Sequence, residues 1–284
     1  ITSIIIQFNY GLFDFNELSS LISFLKDKSI SVFIFLHSTS DPKYNPNKNL
    51  SLITKDLAKC ERLFVHSPND MNRLKTLELT ENVCLFPHGI LSFDTNLDNR
   101  ENFLDPLKRN YQNSPVNHIN LASYGFCLPN KGFPELIYAI KILREQKLNI
   151  YLHLRTASYS DDFSWFYNEL LMLIDQLELK EFVFIDTNYY DDTSTLNFLS
   201  KVDLIVYPYQ SSNESCSGAI RQGLASGVPV AVTPLSIFDD VNSVIYELPG
   251  TTSEEIAIGI KDWFVKGSSF RKSKINSSVC TAWR

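Results

Sequence analysis

Residues 203–233 read as a strand, a polar loop, a helix and a second strand. DLIVY is an apolar run closed by Pro208, and ESCSGAIRQGLASGVPVAVT follows at 214–233. Ser215, Cys216, Ser217 and Gly218 form a small polar loop. Residues 219–225 carry the helical run, Gly227 stops it, and Pro229 opens the apolar run 230–232. Such a unit crosses over right-handed between parallel strands. Its loop stands at the carboxyl end of a strand, where open α/β sheets take ligands. Backbone N–H groups at a helix start attract anions. A phosphate-bearing ligand is therefore expected at 214–218.

The same alternation fills most of the chain. The apolar run 4–8 is followed by a loop turning at Gly11, and Asn16 is placed to cap a helix over 17–26. A strand over 31–36 ends at His37, and a polar loop leads to a helix around 50–59. A strand over 62–65 follows, Ser67 caps a helix from 69 to about 77, and a strand over 83–86 ends at Pro87-His88-Gly89. Residues 91–117 break the pattern: they are rich in Asn and Asp, contain Pro106 and Pro115, and read as an interdomain connection, partly helical at 104–109. Alternation then restarts, with strands at 119–123, 150–155, 182–186 and 244–247. The helices between and after them lie at 134–146, 162–177, 195–201 and 253–265. The expectation is α/β: two doubly wound Rossmann-like domains, 1–108 with the connection and 109–284, facing across a cleft.

At 284 residues the chain is long enough for two such domains. A net charge of −6 weighs against non-specific nucleic-acid binding, which needs a basic field. No apolar run approaches the roughly 18 residues of a membrane span. The cysteines at 60, 84, 127, 216 and 280 have neither metal-ligand nor redox-pair spacing, so a reduced, cytoplasmic setting is expected. The chain opens at Ile1 inside an apparent strand and closes inside an apparent helix, as a piece of a longer protein would.

Five blocks carry a family resemblance. Glu214 and Gln222 are separated by seven residues and followed by GLASGVPVAV, which resembles the Glu-x7-Glu signature of the group 1 (family 4) GT-B glycosyltransferases. YGFCLPNKGF resembles that family's glycine-to-lysine-glycine loop. IQFNYGLF resembles its QHEYGIF segment, FLHSTS its TFHTS segment, and LFPHGI its IPNG strand. Each block alone is unspecific; their shared order along the whole chain is not. The resemblance implies a GT-B fold whose first elements precede Ile1. It also implies transfer of a hexose from a nucleotide-diphosphate sugar to a saccharide or lipid-linked acceptor, with retention at the anomeric carbon. The donor would sit on the C-terminal domain and the acceptor mainly on the N-terminal one. No cofactor or metal is implied beyond the donor substrate, and polysaccharide assembly at the inner face of a membrane, with peripheral association, is the expected setting.

Residue roles follow from the same resemblance. Read alone, Glu214 is a helix cap or an acceptor for sugar hydroxyls; the resemblance favours the sugar. Gln222 stands where a second glutamate holds a ribose diol, and an amide there lacks the charge. Lys131 is a solvated lysine or the cation that neutralises a diphosphate leaving group; the resemblance favours the second. Gly125 opens that loop, Phe126 replaces an expected arginine, and Arg155 on the next strand is the candidate second cation. His37 would face the donor sugar and bond or position it, while Tyr10 and Gly11 would shape the acceptor side. Ser215, Cys216, Ser217 and Gly218 would meet the phosphates, with Ser217 replacing a glycine. His66, His118 and His153 read as structural, and His88 is open.

No Asp-x-Asp, GxGxxG, GxxxxGK[ST] or GxSxG is present, so metal-dependent transfer, dinucleotide binding, P-loop and hydrolase-elbow chemistry lack their motifs. Three rivals stay open. A non-catalytic sugar-nucleotide-binding module draws on Phe126, Ser217 and Gln222. The others are another GT-B activity, such as a sugar-nucleotide epimerase or an inverting transferase, and an α/β protein for some other phosphate ligand.

Overall fold

The structure is a computed structural model that describes residues 1–43, 45–90, 118–158, 160 and 163–274. The expected connection at 91–117, the acidic pair Asp161-Asp162 and Cys280 lie outside the described residues. Contacts divide the chain into two compact units. The first holds Ile1–His88, Ser211–Gly218 and Leu235–Asn242; the second holds Gly89–Gln210, Ala219–Pro234 and Ser243–Arg284.

In the first unit the order is β1 (Ser3–Phe8), α1 (Phe15–Asp27), β2 (Ser31–Leu36), α2 (Thr54–Leu57), β3 (Arg62–Val65), α3 (Pro68–Thr76) and β4 (Val83–Leu85). The strands form a parallel sheet in the order β1-β2-β3-β4. Strand alternation decides what is buried: Val32, Ile34 and Leu36 of β2 pack inward with Ile6 and Phe8 of β1 and with Leu18 and Ile22 of α1. The expected cap of α1 is corrected. Asp14, not Asn16, accepts from the N–H groups of Asn16 and Glu17 at 2.9 and 3.2 Å, because buried Phe15 already begins the helix. Ser67 does cap α3, in a reciprocal box with Asp70. The helix expected around 50–59 is a 3₁₀ turn, Leu50–Leu52, followed by the single turn of α2.

The last residues of the four strands pair in line: Phe8 with Leu36, Leu36 with Val65, and Val65 with Leu85. Whatever follows each strand therefore stands in a row along the carboxyl edge.

In the second unit the order is β5 (Ile119–Phe126), α4 (Phe133–Glu145), β6 (Ile150–Ala157), α5 (Ser164–Gln176), β7 (Val183–Asp186), α6 (Asp192–Leu199), β8 (Leu204–Tyr207), α7 (Gly218–Ala225), β9 (Val230–Val232), β10 (Tyr246–Glu247) and α8 (Ser253–Lys274). The sheet is parallel, ordered β10-β9-β8-β5-β6-β7. Strands β8 and β9 are buried throughout, as continuous apolar runs in a sheet covered on both faces should be. From β5 the chain winds outward through β6 and β7, then returns to the other side of β5 and winds outward through β8, β9 and β10. The winding direction reverses between β5 and β8, which makes that pair of strand ends the topological switch point. No described helix is long and apolar enough to cross a membrane.

Candidate functional site

At the switch point, the turn after β5 is tied to the segment after β8. Gly132 adopts φ 73°, and a Cβ there would lie 1.8 Å from the Pro208 carbonyl oxygen, so only glycine admits this approach. The Gln210 N–H donates to the Asn130 carbonyl at 2.9 Å. The Gln210 amide donates to the Pro208 and Thr251 carbonyls at 3.0 and 2.9 Å. Lys131 sits in the 3₁₀ turn Pro129–Lys131 and is only 8% exposed. Its ammonium lies 3.9 Å over the Tyr209 ring, and no carboxylate among the described residues pairs with it. A buried ammonium without a carboxylate partner among the described residues carries a desolvation cost that the aromatic face offsets only in part.

The start of α7 borders this place. Gly125, at φ 143°, would with a Cβ stand 3.7 Å from the Ala219 Cβ, so β5 runs close under the first turn of the helix. Fully buried Tyr207 donates from its hydroxyl to the Ala219 carbonyl at 2.7 Å, which fixes that turn; burial pushes its own ionisation far up. Phe126 ends β5 and is 42% exposed. Gln222, one turn further along α7, donates to the Asp192 carboxylate at 2.7 Å.

Arg155 lies within β6, not at its end, and is held between the rings of Tyr190 and Phe198, 4.0 Å from each. It also pairs with Asp186 at 3.9 Å and donates to the Ser194 carbonyl at 3.3 Å. Burial lowers its basicity while the Asp186 carboxylate works against that. The sequence does not show this enclosure, because the rings arrive from α6 and the loop before it.

In the first unit, the carboxyl edge carries a row of imidazoles. His37 follows β2 and His66 follows β3, so register sets them side by side, with ring centroids 5.1 Å apart. His66 Nε2 lies 3.3 Å from His37 Nδ1, and His66 Nδ1 lies 2.9 Å from the Phe86 carbonyl oxygen. His37 Nε2 lies 2.6 Å from the Gln7 side-chain oxygen, and the His88 ring is tilted 47° to that of His66 with centroids 5.5 Å apart. Partial burial, then the neighbouring His66 and His88, lowers the pKa of His37 below its ordinary 6.5. Sequence reasoning leaves His66 as structural; the signal available was that both histidines directly follow a strand.

Ser215, Cys216, Ser217 and Gly218 belong to this unit by contacts, as does Glu214. The Ser215 N–H donates to the His37 carbonyl at 3.3 Å, and Ser38 donates from its hydroxyl to the Asn213 carbonyl at 2.6 Å. Buried Asp70 accepts from the hydroxyls of Ser215 at 2.8 Å, Thr39 at 2.6 Å and Ser67 at 2.5 Å, and from the Ser67 N–H at 3.1 Å. Cys216 and Ser217 are buried, and Gly218 is exposed with open space where a Cβ would stand. The exposed Glu214 carboxylate accepts no hydrogen bond among the described residues, so the capping alternative has no bond behind it.

Tyr10 is buried, and its hydroxyl donates to Asp41 at 2.8 Å and to the Thr39 carbonyl at 3.1 Å. Asp41 also pairs with Arg73 and accepts from the Leu50 N–H at 3.0 Å. Burial, then the Asp41 bond, raises the Tyr10 ionisation strongly, so this phenol serves as a strut. Gly11 is exposed on the same loop, its N–H bonded to the Asn9 side chain at 3.0 Å. Among the described residues no group of three or more His, Cys, Asp or Glu is arranged to hold a metal ion.

No family model and no curated protein sequence matches the chain. Solved structures do. HepE of Anabaena, solved with UDP and glucose, superposes with a TM-score of 0.74 at 14% identity, over 98% of this chain and 73% of that one. A glycosyltransferase from Rickettsia africae gives 0.71 at 16%, over 94% and 75%. Sucrose-phosphate synthase from Thermosynechococcus elongatus gives 0.68 at 15%, over 93% and 64%. The shared property is the fold: two Rossmann-like α/β domains of the GT-B kind.

Proposed function

We propose that the chain is a glycosyltransferase that moves a hexose from a nucleotide-diphosphate sugar to a saccharide or lipid-linked acceptor. The observation that carries this reading is Lys131, a buried ammonium without a carboxylate partner among the described residues, at the switch point beside the first turn of α7. That is where an α/β sheet receives a phosphorylated ligand. A diphosphate leaving group gathers negative charge as the sugar departs, and a fixed cation in a low-dielectric pocket stabilises it most at that moment. The solved structures that share the fold include HepE with UDP and glucose, which makes a uridine diphosphate hexose the first donor to try.

Retention of configuration and metal independence rest on the family resemblance of the five sequence blocks. In this reading Glu214, exposed and without a hydrogen bond from the described residues, accepts from hydroxyls of the donor sugar. His37 hydrogen-bonds the sugar and positions the reacting carbon, and the departing phosphate takes the acceptor's proton. Ser215 holds its loop through Asp70. Gln222 reaches the ribose only with one hydrogen-bonding edge, since its NH₂ is engaged by Asp192.

The test is a thermal-shift panel of nucleoside diphosphates and their sugars, followed by a transfer assay with product anomer analysis. A ligand at about 100 times its Kd should add ~2.7 kcal/mol of stability. Stabilisation together with transfer or slow donor hydrolysis, lost in Lys131→Ala, supports catalysis. Stabilisation without either identifies a binding module. No stabilisation by any nucleoside diphosphate removes the proposal.

A further inference from the structure

Lys131 and the first turn of α7 come from different parts of the chain, and Tyr209 connects them. Tyr209 stands two residues beyond β8 and is 1% exposed. Its backbone is anchored: the buried Thr233 hydroxyl donates to its carbonyl at 2.6 Å, and the Thr233 N–H donates to the Tyr207 carbonyl at 3.2 Å. Its ring meets that of Tyr207 edge-on, at 84° with centroids 6.2 Å apart, and Tyr207 in turn bonds the Ala219 carbonyl. The hydroxyl end reaches the place where β5 runs under α7: a Cβ on Gly125 would stand 4.0 Å from it and 3.7 Å from the Ala219 Cβ. The face of the same ring carries the Lys131 ammonium at 3.9 Å.

A carboxylate and an aromatic face both hold an ammonium, with different consequences. A carboxylate cancels the charge and takes up N–H donors, and an incoming anion must displace it. A ring attracts the cation through its quadrupole and leaves the unit charge in place. It also leaves N–H donors of the ammonium that point away from the ring free to turn toward an incoming oxygen. A lysine stem is flexible, so fixing it in advance lowers the ordering cost of binding. We propose that Tyr209 is a positioning residue, whose ring face fixes the Lys131 ammonium beside the start of α7 without neutralising it, ready for the diphosphate of the ligand. The clamp stands on the contacts within this unit. Its service to a diphosphate rests on the nucleotide-sugar reading.

The clamp is read first in the ligand-free, ¹³C-labelled protein. Protons above an aromatic face are shielded, so the Lys131 ε-methylene should resonate upfield of the exposed lysines; its signal is assigned by its disappearance in Lys131→Met. Tyr209→Phe should keep the upfield position and Tyr209→Leu should lose it. Calorimetric titration of uridine diphosphate then reads the consequence. Tyr209→Phe should bind as wild type does, and Tyr209→Leu about 10-fold more weakly, the scale of a desolvated cation–π contact. In a Lys131→Met background the leucine change should cost no further affinity, which separates holding the ammonium from a general loosening of the fold. A wild-type ε-methylene at the position of exposed lysines overturns the proposal, and this spectrum decides even if Tyr209→Leu does not fold. Tyr209→Phe binding as weakly as Tyr209→Leu, or a leucine effect that persists without Lys131, overturns it too. An upfield signal in a wild type that binds no nucleoside diphosphate overturns the nucleotide-sugar reading, and with it the service of Tyr209 to a diphosphate, while the clamp itself stands.

Discussion

The two carboxyl edges solve the burial of polar groups in opposite ways. On the four-stranded sheet, Asp70 collects hydrogen bonds from Thr39, Ser67 and Ser215, Asp41 pairs with Arg73 and accepts from Tyr10, and the imidazoles bond in a row. On the six-stranded sheet, Lys131 is buried with an aromatic ring and no carboxylate among the described residues. These groups of the first edge find partners within their own unit. The second carries a positive charge that no carboxylate among the described residues compensates, and in the proposed function an anionic ligand offsets its desolvation. Polar residues at strand ends thus differ in purpose: those with partners hold a shape, while Lys131, without a carboxylate partner among the described residues, is left for the proposed ligand.

The contrast can be broken in order of effect. Gly132→Ala should be the most damaging change, because it adds left-handed strain of ~1–3 kcal/mol to a backbone clash with Pro208. Chemical denaturation would show it, and a stable variant would mean that the turn is not held as described. Asp70→Ala strands three hydroxyl donors and an N–H, at a cost of about 3 kcal/mol in the same experiment. Lys131→Met should do the reverse: stability equal to or above wild type, since a buried charge is removed, with a loss of about 10- to 100-fold in nucleoside diphosphate affinity. Glu214→Gln should leave the unfolding free energy within ~0.5 kcal/mol of wild type, its carboxylate being exposed and without a hydrogen bond among the described residues, while transfer falls.

The smallest effect concerns pH. His37 has a folded pKa below its ordinary 6.5, so the unfolded chain binds its proton more readily. Stability from this group is full above 6.5 and drains away as pH falls from there toward the lower folded value. Urea unfolding at several pH values should show a shallower acid-side loss in His37→Gln than in wild type.

Much of this was legible in the residues. Apolar runs separated by amphipathic segments announced parallel sheets, and GVPVAV after a helical run placed α7 and β9 within a residue of where they lie. Lys131 and Gly132 were legible as a turn, but not as a turn locked against Pro208, because β8 becomes the neighbour of β5 only through long-range pairing. The same limit hid His66: nothing local links position 37 to position 66, and only the shared register of β2 and β3 does. Asn16 and Asp14 are equally good caps by residue type, and the burial of Phe15 chose between them. The enclosure of Arg155, the candidate second cation, is not legible because the two rings around it arrive from a distant helix and loop.

Calorimetric titration of uridine diphosphate into the wild-type protein and Lys131→Met tests the anion site most directly. Saturable binding by wild type, weakened about 10- to 100-fold in a variant that melts no earlier, is the expected result. Equal affinity in the two proteins, or no binding of any nucleoside diphosphate to wild type, would contradict it.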